Sequence, residues 1–218
     1  MQQPFDNLAR AYDTWYDTPR GRQIFEAELK CLQQICPACQ GRWLEIGVGT
    51  GRFASRLGIR EGLDPSPGML ELACSRGITT SLGSAEKLPF EENTFDGILM
   101  AFTLCFIQHP EKVFRQCRSV LKPDGQLLVG LIPADSPWGK LYQEKKNQGH
   151  PIYSHARFLT SDRILAIAQE TGFQLKQTAC TLFGKPDDLP QADPNIAPGI
   201  SEQAGFAALR FSKTSQME

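Results

Sequence analysis

The stretch Trp43-Leu-Glu-Ile-Gly-Val-Gly-Thr-Gly-Arg-Phe53 decides the fold class that we expect for this chain. An apolar run with one carboxylate, Glu45, breaks into three glycines, and helix-compatible residues follow from Arg52 to Leu57. This order is typical of a buried strand that turns tightly into a helix, which is where open α/β sheets bind nucleotides. Glycine is needed there because a Cβ atom would block either the turn or the close approach of a ligand to the backbone.

The spacing of the glycines narrows the class of ligand. A dinucleotide fingerprint reads G-x-G-x-x-G, with a helix N-terminus facing a pyrophosphate. Residues 45–51 instead read E-x-G-x-G-x-G, which is one residue shorter and has an acid just upstream. Because a carboxylate beside the loop suits a cationic ligand better than an anionic one, we expect a nucleoside with a positively charged amino-acid tail. A nicotinamide-dependent oxidoreductase needs the longer spacing, so the pattern disfavours it.

Composition and charge exclude several other classes. The 218 residues are 41% hydrophobic and 22% charged, which are values of a globular protein with a substantial core. A formal net charge of −1 lacks the basic excess of a general nucleic-acid surface. No apolar stretch approaches the roughly 18 residues of a membrane span, and the N-terminus has no signal-peptide pattern. We therefore expect a cytoplasmic protein that binds neither nucleic acid nor membranes.

Seven cysteines in a cytosolic chain do not indicate a disulfide framework. Cys31, Cys36 and Cys39 are spaced C-x4-C-x2-C, a pattern that leaves a metal site or a redox pair open. No second C-x-x-C or H-x-x-x-H pair completes a set of four ligands. We expect thiols at the end of an amphipathic helix and no metal, with a metal or redox role as the alternative.

Periodicity predicts one domain over residues 1–218. Residues 1–40 form an N-terminal helical cap, and residues 41–133 alternate strands and helices as a cofactor-binding core. Residues 134–158 break the alternation as a substrate-cap insertion, and residues 159–218 supply the rest of the sheet. Strands are expected at 43–48, 59–63, 78–82, 95–101, 126–132, 173–182 and 206–211. Helices are expected at 19–36, 52–57 and 161–171, from Pro67, from Pro110, and briefly from 135–139 through Tyr142, with a turn at 122–125.

Four segments, in this order and at these separations, carry a family resemblance. They are Glu45-Ile-Gly-Val-Gly-Thr-Gly51, Gly62-Leu-Asp-Pro-Ser-Pro-Gly-Met69, Gly83-Ser-Ala-Glu-Lys-Leu-Pro-Phe90 with Phe95-Asp96, and Leu121-Lys-Pro-Asp-Gly125. Over about residues 8–212 the chain resembles class I S-adenosylmethionine-dependent methyltransferases of the bacterial small-molecule type called methyltransferase domain 11. The resemblance implies a Rossmann-like, doubly wound sheet of seven strands, mostly parallel with an antiparallel last strand, and helices on both faces.

The resemblance implies S-adenosyl-L-methionine as cofactor and S-adenosyl-L-homocysteine as product. Glu45 and the amides around Gly47 and Gly49 would hold the methionine end, and Asp64 would accept hydrogen bonds from the ribose hydroxyls. The other implied contacts are Val48, Gly51, Pro65, Ser66, Met69, Ser84, Ala85, Glu86, Met100 and Ala101. Many relatives have Asp in place of Ser84, which leaves Glu86 or a water for the adenine amino group. The alternatives are a helix cap for Asp64, a solvated acid for Glu86 and core packing for Met69 and Met100.

The acceptor pocket is expected between the N-terminal aromatic residues and the insertion. Its predicted lining residues, each of which could instead be ordinary packing, are Tyr12, Trp15, Tyr16, Phe102, Cys105, Phe106, Trp138, Tyr142 and Arg157. An in-line methyl transfer needs alignment and exclusion of water but no fixed catalytic signature. A general base matters only if the acceptor arrives protonated, and the weak candidates are His150, His155 and Tyr142. Arg157 indicates an anionic acceptor if it faces the pocket.

The sequence thus predicts an enzyme that transfers a methyl group to a small molecule. An enzyme acting on RNA or protein is the alternative, although only Arg115, Arg118, Lys122 and Lys145–Lys146 hint at a basic stripe. The motif common in enzymes that methylate flipped bases is replaced by Met100-Ala-Phe-Thr. A non-catalytic S-adenosylmethionine-binding protein is a third reading. The acceptor, its reacting atom and the choice between monomer and homodimer stay open.

Overall fold

The computed structural model describes residues 5–36, 39–188 and 194–214, which form an α/β fold around one sheet. The strands are β1 (Trp43–Ile46), β2 (Glu61–Asp64), β3 (Thr79–Leu82), β4 (Phe95–Ala101), β5 (Leu121–Leu131), β6 (Phe173–Phe183), β7 (Ala197–Pro198) and β8 (Ala204–Lys213). The helices are α1 (Ala9–Trp15), α2 (Pro19–Ile35), α3 (Arg52–Leu57), α4 (Pro67–Ser75), α5 (Pro110–Val120), α6 (Pro137–Asn147) and α7 (Ser161–Glu170). No helix of these residues is long and apolar enough to span a membrane.

The strand order is β3-β2-β1-β4-β5-β8-β6-β7. Strands β1 to β5 are parallel to one another, and β8 is antiparallel to both β5 and β6. The chain therefore winds in opposite directions from β1 and from β4. In such sheets ligands bind in the crevice beyond the carboxyl ends of the strands, at the point where the order reverses. The predicted fold class is confirmed, with the crevice between β1 and β4.

The predicted count of seven strands is wrong. An additional strand, β7, pairs antiparallel with β6 through Ala179 with Pro198 and Cys180 with Ala197. This strand consists of two residues at the edge of the sheet, which is too short to show the period-two alternation on which strand prediction depends.

Both faces of the sheet are buried, as expected for a parallel sheet between two helical layers. Side chains alternate along β4, where Ile98 and Met100 join one core and Leu99 and Ala101 join the other. Helices α2, α3, α4 and α6 cover one face, and α5 and α7 cover the other. This arrangement keeps the carboxyl ends of β1, β2 and β4 rigid, and those ends position the site.

Two elements differ in extent from the sequence prediction. The predicted turn at 122–125 lies within β5, where pairing moves from Phe95–Leu121 to Gly97–Gln126. The chain bulges there instead of ending a strand. Helix α6 is longer than expected, because Ser136 caps it by accepting from the Gly139 amide at 3.0 Å and because Trp138 and Tyr142 are buried beneath its polar outer face.

Candidate active site

The loop between β1 and α3 has a backbone that only glycine adopts readily. The φ angles of Gly47, Gly49 and Gly51 are 70°, 51° and 81°, in the left-handed region. A Cβ atom on Gly47 would overlap the side chain of Thr103, whereas one on Gly49 would meet nothing within 4 Å. Gly47 is therefore required for packing, and Gly49 borders open space in which a ligand can approach bare backbone.

Glu45 lies under this loop as a buried acid with an unused oxygen. Only 2% of its surface is exposed, and its Oε2 atom has no hydrogen-bond partner. Burial raises the pKa of this carboxyl well above its usual value, a shift that a hydrogen bond from the Ala54 backbone partly opposes. A buried carboxylate without a partner is costly, and a cationic group placed beside it would remove that cost. The residues present thus fit an ammonium group.

Asp64 ends β2 on the other side of the loop. Its Oδ2 atom accepts from the Gly49 amide at 2.9 Å, and its Oδ1 atom accepts from the Ser66 amide at 2.9 Å. Burial raises the pKa of the Asp64 carboxyl, and these two amides oppose that shift. The cap of α4 is Ser66, whose Oγ atom accepts from the Met69 amide at 3.3 Å, so Asp64 is not the helix cap. Each carboxylate oxygen keeps the capacity to accept a further hydrogen bond.

Several other predicted cofactor contacts do not present their side chains to this crevice. The side chain of Met100 is wholly buried in the core beneath α5, and Met69 is almost as buried. The Val48 side chain packs on Gly62, where a Cβ would lie 2.6 Å from its Cγ2 atom, so only the Val48 backbone borders the loop. The burial of both methionine side chains agrees with the core alternative, and their contact with a ligand stays a prediction.

The remaining residues predicted to contact the cofactor differ in how much of their surface is exposed. Glu86 is half-buried, and its Oε1 atom accepts from the backbone of His109 at 3.3 Å, at the entry to α5. Ser66 donates to Asp6 Oδ1 at 2.5 Å, a contact that brings the N-terminal segment to the start of α4. Gly51 and Ala101 are buried at the ends of the loop and of β4. The others differ in exposure: Pro65 and Ser84 are exposed, and Ala85 is buried.

Helix α1 is held against the glycine loop by one acidic residue. Asp13 forms two hydrogen bonds with the Arg52 guanidinium, at 2.7 and 3.0 Å, and one with Arg76 at 2.7 Å. Arg76 also donates to the Thr50 carbonyl at 2.8 Å, within the loop. Burial tends to raise the pKa of Asp13, but the hydrogen bonds from Arg52, Thr50 and Arg76 outweigh it and lower that pKa to about 2.

Replacing Asp13 with asparagine should lower the free energy of unfolding at pH 7 by about 1–2 kcal/mol, between the values of exposed and fully buried charged hydrogen bonds. Because the pKa in the folded state is about 2 and its ordinary value is 3.8, this contribution is complete above pH 3.8. It is lost as the pH falls towards 2. Urea titrations of both proteins at several pH values should show their difference shrinking across that window.

The control for this prediction is Asp17→Asn. Asp17 also pairs with Arg52, at 3.0 Å, but 53% of its side chain is exposed. An exposed pair contributes roughly 0–1 kcal/mol, so we expect a much smaller loss. Equal losses of unfolding free energy in the two variants would contradict the conclusion that Asp13 holds α1 against the glycine loop.

A cavity of about 430 Å³ lies beside the loop, enclosed by α1, α2, α6 and the ends of β4 and β5. The structure brings eight of the nine predicted lining residues to this cavity: Tyr12, Trp15, Tyr16, Phe102, Cys105, Phe106, Trp138 and Tyr142. Arg157 is the exception, because its side chain is exposed and lies outside the lining. Because Arg157 does not face the cavity, the condition on which it would indicate an anionic acceptor is not met.

Nine of the described residues that line the cavity are Phe, Tyr or Trp. The hydroxyl groups of Tyr12 and Tyr16 are 2.9 Å apart, and the ring centroids of Tyr142 and Tyr153 are 4.5 Å apart. Phe158 stacks on Tyr142 with an interplanar angle of 12°. Tyr153 and Phe158 were not expected from the sequence, because they lie in an irregular stretch where side-chain direction follows no period.

Glu28 of α2 is a charged lining residue that the sequence analysis missed. A signal for it exists in the sequence, since Glu28 lies four residues after Ile24 and four before Leu32. Those positions share one face of a helix, so this acid interrupts the apolar stripe that packs on the sheet.

The three base candidates differ in position. His150 lines the cavity, stacks on Tyr153 with centroids 4.5 Å apart, and accepts from the Ile152 amide at its Nδ1 atom at 3.3 Å. Burial and the charge of Lys145 lower the pKa of His150, which favours its neutral form. His155 is exposed and lies outside the lining. Burial raises the pKa of Tyr142 to about 12, so this phenol stays protonated near neutral pH.

The end of β4 joins the cavity to the glycine loop. Thr103 donates to the Ile46 carbonyl at 2.8 Å and lies against Gly47, while Phe102 before it lines the cavity with a φ angle of 60°. A left-handed backbone is unusual for a residue with a bulky side chain. With this backbone conformation, Phe102 lines the cavity while the next residue, Thr103, contacts the glycine loop. The crevice and the cavity therefore adjoin at these two residues.

The cysteine cluster is separate from both sites. The Sγ atoms of Cys36 and Cys39 are 3.9 Å apart, and Cys31 is buried within the core. Within residues 5–36, 39–188 and 194–214, no group of three or more His, Cys, Asp or Glu side chains could hold a metal ion.

Comparisons with known proteins extend over the crevice and the cavity. The profile of the family described as "Methyltransferase domain" matches residues 44–129. An uncharacterised protein of Mycobacterium tuberculosis is 41% identical over 202 residues, which cover 92% of this chain and 70% of the relative. An uncharacterised protein of Methanocaldococcus jannaschii is 36% identical over 209 residues, which cover 96% of this chain and 98% of the relative.

A solved structure from Thermotoga maritima is similar to the whole fold. It is described as a SAM-dependent methyltransferase, possible histamine N-methyltransferase, and is 32% identical with a TM-score of 0.89. The similarity covers 98% of this chain and 100% of that chain. It therefore includes the segments that enclose the cavity as well as the sheet.

Proposed function

This chain belongs to the class I S-adenosylmethionine-dependent methyltransferases, and on that premise we propose that it methylates a small molecule bound in the 430 Å³ cavity. The single observation that carries the proposal is the position of this cavity. It is a partly open cavity with aromatic residues in its lining, and one of these, Phe102, precedes Thr103, which lies against the glycine loop. A volume of this size lies within the roughly 300–1,000 Å³ typical of small-molecule sites.

Three groups of this chain support the binding of S-adenosylmethionine in the crevice. The unpartnered oxygen of Glu45 would bind the ammonium of the methionine part. The open space beside Gly49 admits that part against the backbone, and the Asp64 carboxylate would accept from the ribose hydroxyls. The adenine would lie towards the loop from Ser84 to Glu86, at the end of β3.

The protein's contribution to the reaction is alignment and exclusion of water. When bound, S-adenosylmethionine would supply a methyl group on a positively charged sulfur. The acceptor atom would take that methyl group in line, and neutral S-adenosylhomocysteine would be the leaving group. The loop and Asp64 fix the donor side, and the walls formed by α1 and α6 hold the acceptor on the other side. Tyr16 and Trp138, which are buried, and Tyr12, which is half-buried, keep this region apolar, which limits competing hydrolysis.

A small acceptor agrees with the charges at the cavity. Among the described residues that line the cavity, Arg20 and Lys145 are the only arginine and lysine, which is fewer than the continuous basic groove that RNA would require. The relative from Thermotoga maritima is described as a possible histamine N-methyltransferase, and histamine is a small molecule.

The proposal is tested by methyl transfer from S-adenosylmethionine labelled in the methyl group. The purified protein should incorporate label into the fraction of a cell extract below about 1 kDa, and ribonuclease or protease treatment of the extract should not reduce that signal. Label found only in RNA or protein would contradict the proposal. Binding of S-adenosylmethionine without transfer to any fraction would instead support a non-catalytic protein.

A further inference from the structure

Glu28 is a buried acid that faces the acceptor cavity. Its helix, α2, packs on the sheet, and 4% of the residue's surface is exposed. Among the described residues, no hydrogen bond or ion pair that we identify includes its carboxyl group, whereas Glu26, two positions earlier, pairs with Arg56 at 2.6 Å. A carboxyl group in this position is costly to bury and contributes nothing visible to packing. This combination indicates a role towards a ligand.

The surroundings of Glu28 favour a positive ligand group. Glu28, Tyr12, Tyr16 and Tyr142 line the same cavity, and the negative charge of Glu28 adds to the effect of burial in raising the pKa of the three tyrosines. The faces of aromatic rings carry negative potential and attract cations. A carboxylate beside such rings would repel an anionic acceptor. A neutral acceptor would leave the negative charge of Glu28 without a partner.

The cations that line the cavity are engaged elsewhere. Arg20 donates to the carbonyl groups of Asp187 and Asp188 at 3.1 and 3.4 Å. The Lys145 ammonium lies over the Tyr142 ring, 5.3 Å from its centroid. The third basic group, His150, has a pKa lowered by burial and by Lys145 and is therefore mostly neutral. None of the three pairs with Glu28, so a charge that stabilises its ionised form would have to come with the ligand.

We propose that Glu28 binds a protonated amine of the acceptor, and that the enzyme therefore selects small amines with an apolar body. This inference rests on the proposed function, since it assumes that the cavity is the acceptor site. Burial holds the pKa of the empty Glu28 carboxyl well above its usual value. Arrival of an ammonium group stabilises the ionised form, and the resulting pair is a strong, charge-assisted hydrogen bond.

The test compares probes of one shape and different charge. Calorimetric titrations of enzyme saturated with S-adenosylhomocysteine would use 2-phenylethylamine, 2-phenylethanol and 3-phenylpropanoate. The wild type should bind the amine at least tenfold more tightly than the alcohol and should bind the carboxylate most weakly. Glu28→Gln should remove the preference for the amine, a loss of about tenfold or more, as expected for one charge-assisted hydrogen bond.

Controls separate this inference from the proposed function. Glu26→Gln, on the outer face of the same helix, should keep the full preference for the amine. Glu28→Gln should keep the wild-type affinity for S-adenosylmethionine, which shows that the variant is folded. A wild type that prefers the alcohol, or a Glu28→Gln variant that still prefers the amine, would overturn the inference while leaving methyl transfer to other small molecules intact. Failure of the wild type to methylate any small molecule would refute the proposed function itself.

Discussion

Replacing Asp64 with alanine should lower the affinity for S-adenosylmethionine at least about a hundredfold in a calorimetric titration. The variant would lose two hydrogen bonds from the ribose to a charged group, each of about 1.5–3 kcal/mol, and about 1.4 kcal/mol corresponds to a factor of ten. It would also release the Gly49 amide, which Asp64 holds at 2.9 Å, so the loop would lose part of its fixed shape. Both effects act in the same direction.

Two further variants identify the cause of this loss. Asp64→Asn keeps one acceptor oxygen in the same place and should fall between the wild type and Asp64→Ala. Glu61→Ala lies on the same strand, where Glu61 pairs with Arg42 at 2.6 Å, away from the crevice, and should leave the affinity unchanged. A folded Asp64→Ala protein with wild-type affinity would refute the assignment of the ribose site.

Replacing Glu45 with glutamine should have two opposite effects. The affinity for S-adenosylmethionine should fall about a hundredfold, because the ammonium of the ligand loses a buried, charged partner. The stability of the ligand-free protein should rise by about 1 kcal/mol or more at pH 8, because a buried, unpaired carboxylate is removed. Calorimetry of the ligand and urea unfolding of the free protein measure the two quantities separately.

The pH dependence of the second effect has a definite sign. The pKa of Glu45 in the folded protein is raised above its ordinary value of 4.5, so burial of this one carboxyl group costs least stability below pH 4.5, where it is protonated in the folded and the unfolded state. Its stability falls as the pH rises from there through the raised pKa, whereas Glu45→Gln lacks this fall. Glu28→Gln is the matched control, because it should share the gain in stability but not the loss of affinity. Equal affinities of wild type and Glu45→Gln would contradict the role of Glu45.

The sequence predicted those parts of the fold and site that depend on local spacing. The loop from Gly47 to Gly51, the cap at Ser66 and the strand at 95–101 were expected from residues that are neighbours in the chain, and the structure has them at those positions. The acidic residues Glu45 and Asp64 were expected beside the loop because each lies on one of two neighbouring parallel strands. Parallel strands bring their carboxyl ends to the same edge of the sheet.

What the sequence did not predict depends on how distant elements pack. Met100 was expected to reach the ligand because it ends β4, but alternation along that strand directs its side chain into the core beneath α5. Arg157 follows an irregular stretch without a period, so nothing local indicated that it faces solvent. Glu28 and Tyr153 meet at the cavity only because α2 and the segment after α6 dock on the same end of the sheet.

The docking of α1 has a consequence for turnover. This helix of seven residues supplies Tyr12 and Trp15 to the cavity wall, and its Asp13 fastens it to Arg52 beside the glycine loop. A donor bound in the crevice would lie behind α1, so we expect its exchange to require movement of α1. The same movement would withdraw Tyr12 and Trp15 from the acceptor pocket. The enzyme then cannot exchange S-adenosylhomocysteine for S-adenosylmethionine while it keeps the acceptor bound. We therefore expect a compulsory sequence in which the donor is loaded first and renewed only after the methylated product has departed.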